Sequence, residues 1–244
     1  MNMLDLEGRS AIVTGGSRGI GLATAIALRA AGADVLICGR SVDALASASS
    51  RIRSEPGSAN GTVTTAVVDV RDSEQTRRLV QMSAEQFGRL DFLINNAGVG
   101  RFAPLSELTT DAWREMVDTN LSGVFYCCRA AIPVMRERGG GWIINVSSLA
   151  ATHPFSGGSA YCASKAGLNA LTESLMQEVR HDGIRVSCIS PGSVDTEFAG
   201  NAPSSGSGWK LSGADVAQAV VDLLRHPPRS LPSRVEIRPS TPRK

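Results

Sequence analysis

A tyrosine and a lysine in the segment SAYCASKAGLNALTESL, which begins at residue 159, have the spacing of a proton-transfer pair. Apolar residues recur there at helical intervals, so Tyr161 and Lys165, four residues apart, are predicted to share one face of a helix. A free tyrosine titrates near pH ~10, and a neighbouring ammonium is expected to lower that pKa by favouring the phenolate. The pair indicates general acid or base catalysis, although the same spacing also occurs in helices without a catalytic role.

Two serines, Ser147 and Ser148, end the strand-like run GWIINVSS. Ser148 stands thirteen residues before Tyr161, and we favour it as the partner of the tyrosine. Open α/β sheets place their chemistry at the carboxyl ends of parallel strands, so this strand end and the helix are expected to meet at one crevice. Side-chain alternation does not separate the two serines, and a turn serine that bonds its own backbone is the other interpretation.

The stretch TGGSRGIG, residues 14–21, is predicted to be a phosphate-binding turn. It follows the apolar run at 11–13 and precedes a helix-like run at 22–28. The first turn of a helix offers unpaired N–H donors and the positive end of the backbone dipole, and glycine lets an anion approach the main chain. Kinases, methyltransferases and plain tight turns also use glycine in this way, so the stretch alone does not identify a dinucleotide site.

Strand-like and helix-like segments alternate along the chain, which predicts a parallel sheet covered by helices on both faces. Gly32 is a stop signal for the first helix, and Asp72 with Gln75 resembles a capping box at the start of a later one. The β-rich runs lie near 9–14, 33–38, 62–68, 91–94, 141–146, 184–189 and 234–238.

Two stretches rich in glycine, serine and proline are predicted to be loops, EPGSANG at 55–61 and AGNAPSSGSG at 199–208. Neither separates two cores, so the whole chain, 1–244, is expected to form one domain. The second loop lies between a strand and a helix, where doubly wound folds place ligand-binding loops. Residues 193–210 are therefore interpreted as a cover over the substrate, with an ordinary surface loop as the alternative.

Composition excludes several kinds of partner and cofactor. With 25 basic and 23 acidic residues the formal net charge is +2, so we expect neither nucleic acid nor a membrane surface as partner. The first seven residues lack the pattern of a signal peptide, and the cytoplasm is the expected location. Five cysteines and three histidines show no disulfide framework and no metal spacing, so the thiols are expected to be reduced and no metal is predicted.

Several motifs in order resemble the short-chain dehydrogenase/reductase family, in its single-domain form of about this length. The resemblance runs from about residue 8 to about residue 198. The motifs are the T-G-x-x-x-G-x-G loop at Thr14, Gly15, Gly19 and Gly21; N-N-A-G at Asn95 to Gly98; Asn120 in DTNLSGVF; Ser148 with Tyr161 and Lys165; and Pro191, Gly192 and Thr196 in PGSVDT.

The resemblance implies a Rossmann-type, doubly wound parallel β-sheet of about seven strands, and it implies roles for the residues of the motifs. Tyr161 would exchange a proton with the substrate oxygen, Ser148 would hydrogen-bond that oxygen, and Lys165 would lower the pKa of the tyrosine and hold the nicotinamide ribose. Asn120 would connect the lysine to solvent through a water on its backbone carbonyl. The implied cofactor contacts are Gly15, Ser17, Arg18, Gly19, Ile20, Gly21, Arg40, Asp69, Val70, Asn96, Ala97, Gly98, Tyr161, Lys165, Pro191, Gly192, Val194 and Thr196.

The end of the second predicted strand, DVLICGRS, favours NADP(H) over NAD(H). Gly39 stands where relatives that prefer NAD have a carboxylate, and Arg40 follows it. The guanidinium groups of Arg18 and Arg40 are both expected to reach a 2′-phosphate, although an arginine in the position of Arg18 is also common as a solvated side chain. By analogy with the family, Asp69 would bond the adenine amino group, and a turn-initiating aspartate is the alternative.

These features predict an NADPH-dependent oxidoreductase that reduces a carbonyl or oxidises an alcohol, and a homodimer or homotetramer by family resemblance. The second hypothesis is an NADP(H)-binding redox sensor without turnover, which would not need Tyr161 as a proton donor. The substrate is expected to be a small molecule bordered by residues 149–158, 99–102 and 193–210, with His153 and Phe155 among the lining residues. The carboxyl-terminal SRVEIRPS lacks the Gly-Gly tail common in 3-oxoacyl-carrier-protein reductases, which argues against that assignment.

Overall fold

A seven-stranded parallel sheet forms the centre of the molecule. The computed structural model describes residues 6–55, 61–200 and 208–241. Within these residues the strands occur in the spatial order β3-β2-β1-β4-β5-β6-β7, and every pairing between neighbours is parallel. The strands are β1 (Ser10–Thr14), β2 (Asp34–Gly39), β3 (Val63–Val67), β4 (Phe92–Asn95), β5 (Gly141–Val146), β6 (Ile184–Pro191) and β7 (Arg234–Ile237).

Helices connect the strands and cover both faces of the sheet. Their apolar residues fall into two separate clusters, one built with α1, α2 and α7 and the other with α3, α5 and α6. The doubly wound Rossmann-type fold expected from the sequence is therefore confirmed. The helices are α1 (Gly19–Ala30), α2 (Val42–Ser54), α3 (Ser73–Phe87), α4 (Thr110–Val117), α5 (Gly123–Glu137), α6 (Ser159–Val179) and α7 (Gly213–Leu224).

Each central strand is apolar on both sides because both sides are covered. In β1, Ala11 and Val13 pack into the cluster with α1 and α7, while Ile12 between them packs into the opposite cluster. Parallel strands buried on both faces carry continuous apolar runs instead of alternating ones. These runs allowed the strands to be predicted from the sequence. Each predicted strand differs from its observed bounds by at most two residues.

The strand order reverses direction between β1 and β4, which are neighbours in the sheet. At such a switch point the connections leave the sheet on opposite faces and open a crevice beyond the carboxyl ends of the strands. The glycine-rich loop after β1 and the Asn-Asn-Ala-Gly turn after β4 lie on its two sides. Loop residues 56–60 and 201–207, predicted from their composition, lie outside the described residues.

The amino end of α1 differs from those of its neighbours. Ser41 accepts a hydrogen bond from the first turn of α2, and Asp72 does so for α3, but no such side-chain bond caps α1, whose N-cap residue is Arg18. No acidic residue lies in the first turn of α1. Its N–H donors therefore face the crevice at the positive end of the helix dipole.

The predicted capping box at α3 is formed only in part. The Asp72 carboxylate accepts the N–H groups of Glu74 and Gln75, at 2.9 and 3.1 Å. The Gln75 amide oxygen accepts the N–H of Asp69 instead of that of Asp72, because the Asp72 N–H already donates to the Asp69 carbonyl oxygen. Gln75 thus ties the start of α3 to the end of β3.

A π-helical turn, Asp118–Ser122, joins α4 to α5. A π turn widens the helix by one residue and changes which carbonyl groups are paired, and it is frequent at functional sites. Asn120 lies at its centre and is fully buried. The π turn lies within a continuous helical stretch that runs from α4 into α5.

Candidate active site

One cleft at the switch point collects nearly all of the residues that the sequence singled out. It runs from the carboxyl end of β3 to that of β6 and is bordered on one side by α6. Of the predicted cofactor and catalytic residues, Gly21 and Asn120 do not line it but lie behind its surface. Val99 and Phe198 line it within the ranges predicted to border the substrate, and Ser147, the alternative to Ser148, lines it as well. Residues that line it without having been predicted as contacts are Cys38, Gly39, Val68, Thr119 and Val146.

The glycine loop has a shape that side chains would destroy. Gly15 and Gly19 have φ angles of +63° and +56°, which glycine adopts without strain. A Cβ at Gly15 would lie 2.9 Å from the Cα of Ala97, and one at Gly21 would overlap the carbonyl oxygen of Gly15. The loop is thus closed tightly around its own backbone, next to the uncapped amino end of α1, a combination that fits the diphosphate of a dinucleotide.

The Asn-Asn-Ala-Gly turn after β4 fixes this loop from the opposite side. The Asn96 side-chain amide donates to the carbonyl oxygens of Thr14 and Gly15, at 2.9 and 3.2 Å. In return the Thr14 hydroxyl oxygen accepts the N–H groups of Asn96 and Ala97, both at 3.0 Å. The motif therefore holds the phosphate loop in position, in addition to lining the cleft.

Two arginines lie at the end of the cleft formed by β2 and β3. Arg18 and Arg40 are both exposed, and the guanidinium of Arg18 lies 3.5 Å from the carboxylate of Glu197. Gly39 leaves space at the end of β2, since a Cβ there would lie 3.5 Å from the Ser17 hydroxyl oxygen. Asp69 is the acid that lines this end of the cleft, while Glu197 pairs with Arg18 without lining it. The exposed guanidinium groups of Arg18 and Arg40 thus border an opening in which Gly39 supplies no carboxylate.

The Asp69 carboxylate forms an ion pair with Arg71, which was not predicted from the sequence. Arg71 Nε lies 3.0 Å from each carboxylate oxygen, and Arg71 Nη2 lies 2.5 Å from Oδ2. This hydrogen-bonded guanidinium lowers the pKa of Asp69. The Asp69 carbonyl oxygen also accepts the N–H of Asp72, which matches the turn-initiating alternative. The adenine contact of Asp69 stays a prediction.

Tyr161 and Ser148 meet at the opposite end of the cleft. Tyr161 is 9% exposed and lies in the first turn of α6, while Ser148 follows β5 in extended backbone. The Ser148 hydroxyl oxygen accepts the N–H of Ala150 at 3.1 Å, and its hydrogen bond to the phenol acts to lower the pKa of Tyr161. The serine and tyrosine hydroxyls therefore point to one place, where a substrate oxygen can bond both.

The structure separates Ser147 from Ser148. Ser147 is buried, and its hydroxyl donates to the backbone carbonyl of Lys165 at 3.4 Å. Successive residues of an extended chain point to opposite sides, so Ser147 braces α6 from behind while Ser148 faces Tyr161. The alternative left open by the sequence is resolved by this geometry in favour of Ser148 as the neighbour of the phenol.

Lys165 lies beneath the tyrosine and is almost fully enclosed. Its ammonium donates to the carbonyl oxygen of Val146 at 2.8 Å, and a Cβ placed at Gly98 would lie 3.7 Å from Nζ. Burial lowers the pKa of Lys165 to about 8, because the charged form loses its hydration. A lysine held in this way has further N–H donors for the hydroxyl groups of a bound sugar.

The expected effect of the lysine on the phenol is not the dominant one. The spacing of Tyr161 and Lys165 predicts a lowered tyrosine pKa, but burial of the phenol raises the pKa of Tyr161 in the structure, and only Ser148 acts in the opposite direction. The ammonium is turned toward Val146, and desolvation outweighs its influence. Residue spacing alone therefore gave the wrong direction for this pKa.

Asn120 connects the lysine region to the backbone around it. Its side-chain oxygen accepts the N–H of Val99 at 2.8 Å, and its amide donates to the Val99 carbonyl and to the Ser164 hydroxyl, both at 3.0 Å. Ser164 donates in turn to the carbonyl oxygen of Tyr161 at 2.8 Å. Asn120 thus fixes the turn after β4 and the first turn of α6 together, and its side chain is fully used in doing so.

The segment after β6 closes the cleft on its remaining side. Pro191, Gly192, Val194 and Thr196 all line it, and a Cβ at Gly19 would lie 3.5 Å from the Thr196 methyl group. Thr196 thus faces the phosphate loop directly. Of the predicted substrate-lining residues, Phe155 contacts Phe102, with ring centroids 5.5 Å apart, whereas His153 is exposed and bonds the adjacent Thr152.

We expect Lys165 to make protein stability depend on pH in a defined direction. The unfolded lysine keeps its proton up to pH ~10.4, whereas the folded one loses it at about pH 8. Between these values the unfolded state binds more protons, so the free energy of unfolding rises with pH, by roughly 1.4 kcal/mol per unit. The difference between wild type and Lys165→Met, measured by urea unfolding from pH 8 to 10, isolates this contribution; parallel pH curves for the two proteins would contradict it.

Within the described residues, no group of three or more histidine, cysteine, aspartate or glutamate side chains is placed to hold a metal ion. No helix in that part of the chain has the length and apolar character needed to cross a bilayer. All five cysteines are free and buried. Burial raises the thiol pKa of Cys38 and of Cys128 to about 12, so these two thiols stay protonated and unreactive.

Comparison with known proteins agrees with this site. Residues 9–205 match the short chain dehydrogenase family. An uncharacterised oxidoreductase of Staphylococcus saprophyticus is 35% identical over 237 residues, covering 97% of this chain and all of the relative. Among solved structures, an alcohol dehydrogenase of Thermococcus sibiricus complexed with 5-hydroxy-NADP has 30% identity and a TM-score of 0.89, covering 97% and 98% of the two chains. A metagenomic short-chain oxidoreductase in complex with NADP has 35% identity and a TM-score of 0.84, covering 98% and 100%.

A parallel sheet with a glycine-rich loop at the switch-point cleft is the architecture of a dinucleotide-binding protein. The chain belongs to the short-chain dehydrogenase/reductase family. Membership makes it an enzyme that uses a nicotinamide cofactor and acts on the CH–OH or C=O group of a small molecule.

Proposed function

We propose that the protein is an NADPH-dependent carbonyl reductase in which Tyr161 is the general acid. The observation that carries this proposal is the convergence of Ser148, Tyr161 and Lys165 at one end of a cleft whose other end has Arg18 and Arg40. One end can hold a carbonyl oxygen between two hydroxyl groups, and the other can hold the extra phosphate of NADP. The alcohol oxidation is the same reaction in reverse.

When bound, NADPH supplies a hydride to the carbonyl carbon and becomes NADP⁺. The chain supplies the proton. Tyr161 donates its phenolic proton to the carbonyl oxygen, so that ketone, hydride and proton sum to the alcohol, and the phenolate then recovers a proton from solvent. Ser148 donates a hydrogen bond to the same oxygen and stabilises the negative charge that develops there.

We assign the role of proton donor to Tyr161. Burial raises the pKa of its phenol, so the group carries its proton at neutral pH, as an ordinary tyrosine does. In alcohol oxidation the same group would act as the base. We assign to Lys165 the binding of the nicotinamide ribose hydroxyls, and to Asn120 the placement of the turn and helix around the lysine. A water on the Asn120 backbone carbonyl would complete the proton relay.

The preference for NADPH rests on the charge pattern at the β2 end of the cleft. Gly39 offers no carboxylate to repel a 2′-phosphate, and Arg40 follows it directly. The NADP complexes of two structurally similar oxidoreductases support the same choice. The loop at 193–210, of which 201–207 lie outside the described residues, is proposed as the cover over the substrate.

The test is the oxidation of NADPH and of NADH by the purified protein with a panel of ketones, aldehydes, diketones and 3-oxoacyl thioesters. We expect turnover of at least one neutral carbonyl compound, with a higher kcat/KM for NADPH than for NADH. Tight NADPH binding without turnover of any class would contradict the reductase assignment and favour a redox sensor. A preference for NADH would contradict only the cofactor assignment.

A further inference from the structure

Three phenylalanines form an aromatic surface around the phenol of Tyr161. The ring of Phe102 lies edge-on to that of Tyr161, with centroids 5.6 Å apart. The ring of Phe198 is tilted by 57° against that of Tyr161, also with centroids 5.6 Å apart. Phe155 extends this surface by an edge contact with Phe102, at 5.5 Å. We call Phe102, Phe155 and Phe198 the aromatic wall. A group attached to a carbonyl carbon at Tyr161 can pack against it.

The aromatic wall comes from three separate parts of the chain and is seated on glycines. A Cβ at Gly100 would lie 2.7 Å from Phe198 and 3.1 Å from Phe102, and one at Gly158 would lie 2.6 Å from the ring of Phe155. Each ring therefore packs directly against the backbone of a glycine, at a position where any Cβ would crowd the ring. Such close seating fixes the rings in place before any ligand arrives.

Much of the aromatic wall is exposed. Phe102 and Phe155 are 46% and 47% exposed, although both rings adjoin a phenol that is nearly buried. Apolar surface concentrated beside a reactive group is stabilised when an apolar ligand covers it, and aromatic rings prefer a planar partner in edge or offset contact. The shape and chemistry of the wall thus favour a flat hydrophobic group.

The cations near the aromatic wall are already engaged by groups of the protein, which favours a neutral substrate over an anionic one. Arg101, next to Phe102, is paired with Glu115 at 3.3 Å, and the ammonium of Lys165 donates to the Val146 carbonyl inside the protein. Arg18 reaches the segment that carries Phe198, but there it pairs with Glu197 at 3.5 Å, and Arg40 lies at the end of β2. A carboxylate or phosphate on the substrate would therefore have to compete with an acidic side chain of the protein for a cation near the wall.

We propose that the substrate is a neutral aryl ketone or aryl aldehyde, with its aromatic ring against Phe102, Phe155 and Phe198 and its carbonyl oxygen between Ser148 and Tyr161. This rests on the proposed reductase function and adds the substrate class to it. The aromatic wall selects the ring, and the two hydroxyl groups orient the carbonyl.

The test compares acetophenone with cyclohexyl methyl ketone and acetoacetate, with NADPH as reductant. These share a methyl ketone, but the second has a non-planar ring and the third a charge. We expect kcat/KM for acetophenone to exceed that for the other two by about tenfold or more. Phe102→Ala and Phe198→Ala are expected to remove this preference. Met82→Ala, on α3 and 42% exposed, is the control of similar apolar exposure and should retain it.

Gly100→Ala is the independent variant, since it changes no aromatic residue. Its methyl group would displace Phe198 and Phe102 from their seats, so it should lose the acetophenone preference as the truncations do. Its melting curve and NADPH affinity report whether the fold is intact. If Gly100→Ala and both truncations keep the preference, the aromatic wall does not select the substrate and the proposal is wrong.

A measurement of ligand binding distinguishes failure of the reductase assignment from failure of the aryl proposal. Saturation-transfer NMR with 1-phenylethanol in the presence of NADP⁺ reports contact with the ring protons without requiring turnover. If no carbonyl is reduced but 1-phenylethanol binds to wild type and Met82→Ala and not to Phe102→Ala or Phe198→Ala, the aryl site stands and the reductase assignment fails. Equal turnover of acetoacetate or of a 3-oxoacyl thioester overturns the aryl proposal and leaves the reductase assignment in place. Absence of both turnover and binding overturns the aryl proposal as well.

Discussion

Tyr161→Phe is expected to lower kcat for carbonyl reduction by about a thousandfold, while the dissociation constant for NADPH changes by no more than about threefold. The substitution removes one oxygen and keeps the ring between Phe102 and Phe198. The Ser148 hydroxyl, anchored on Ala150, still faces the site, but an aliphatic hydroxyl is a much weaker acid than a phenol. Hydride transfer would then have to proceed without a proton donor at the carbonyl oxygen.

The chain supplies its own control for this substitution, because it contains two tyrosines. Tyr126 lies on α5, with its ring centroid 5.4 Å from that of Phe125 and away from the cleft. Tyr126→Phe makes the same chemical change and should leave kcat near the wild-type value. If Tyr161→Phe instead weakens NADPH binding as much as turnover, the tyrosine supports the site's structure and is not the acid.

Arg40→Asp is expected to change the ratio of kcat/KM for NADPH to that for NADH by about a hundredfold in favour of NADH. The substitution removes a charge-assisted hydrogen bond to the 2′-phosphate and places a carboxylate where it repels that phosphate. The same carboxylate can accept hydrogen bonds from the adenosine ribose of NADH. Both changes act on the ratio in one direction, which makes the ratio more informative than either constant alone.

Arg138→Asp is the matched control, since it makes the same charge change on an exposed arginine at the carboxyl end of α5, just before β5 begins. That place lies at the amino ends of the strands, opposite the cleft. Its cofactor ratio should equal that of wild type. An unchanged ratio in Arg40→Asp would show that Arg18 or another group carries the phosphate contact, and Arg18→Ala would then be the variant that shifts it.

The sheet could be predicted from the sequence because its strands have a strong local signal. Runs such as Ala11 to Val13 are apolar at every position, since both faces of the strand are covered. The order of the strands does not follow from any single run. The resemblance implied a doubly wound parallel sheet of about seven strands, and the structure supplies the order, with β1 and β4 as neighbours.

The lining residues of the cleft could be predicted where they lie at the ends of strands or the starts of helices. Those positions are set by the fold itself, so Arg40, Ser148 and Tyr161 lie where their motifs place them. Arg71 was missed, and Phe198 was predicted only as one residue of the loop at 193–210. Phe198 lines the cleft by crossing back to Gly100, a contact that no local pattern reveals. Arg71 follows Asp69 by two residues. A basic side chain so close to a predicted cofactor-binding carboxylate could have indicated their ion pair.

The direction of the Tyr161 pKa could not be read from spacing. The sequence places an ammonium one helical turn away, but it does not show that the phenol is buried or that Lys165 donates to Val146. Desolvation depends on the assembled packing of α6 against its neighbours, including the contacts of Phe102 and Phe198. Charge effects between near neighbours are therefore predictable only after burial is known.

The most direct test of the reductase assignment follows the hydride itself. Wild-type protein is given NADPH deuterated at one or the other face of the nicotinamide C4, together with a carbonyl compound that it turns over, and the alcohol is examined by mass spectrometry. We expect one deuterium on the carbinol carbon from one of the two labelled cofactors and none from the other, with label transfer lost in Tyr161→Phe. Alcohol formed without deuterium from either cofactor, or label transfer at the wild-type rate in Tyr161→Phe, would contradict the mechanism proposed for this protein.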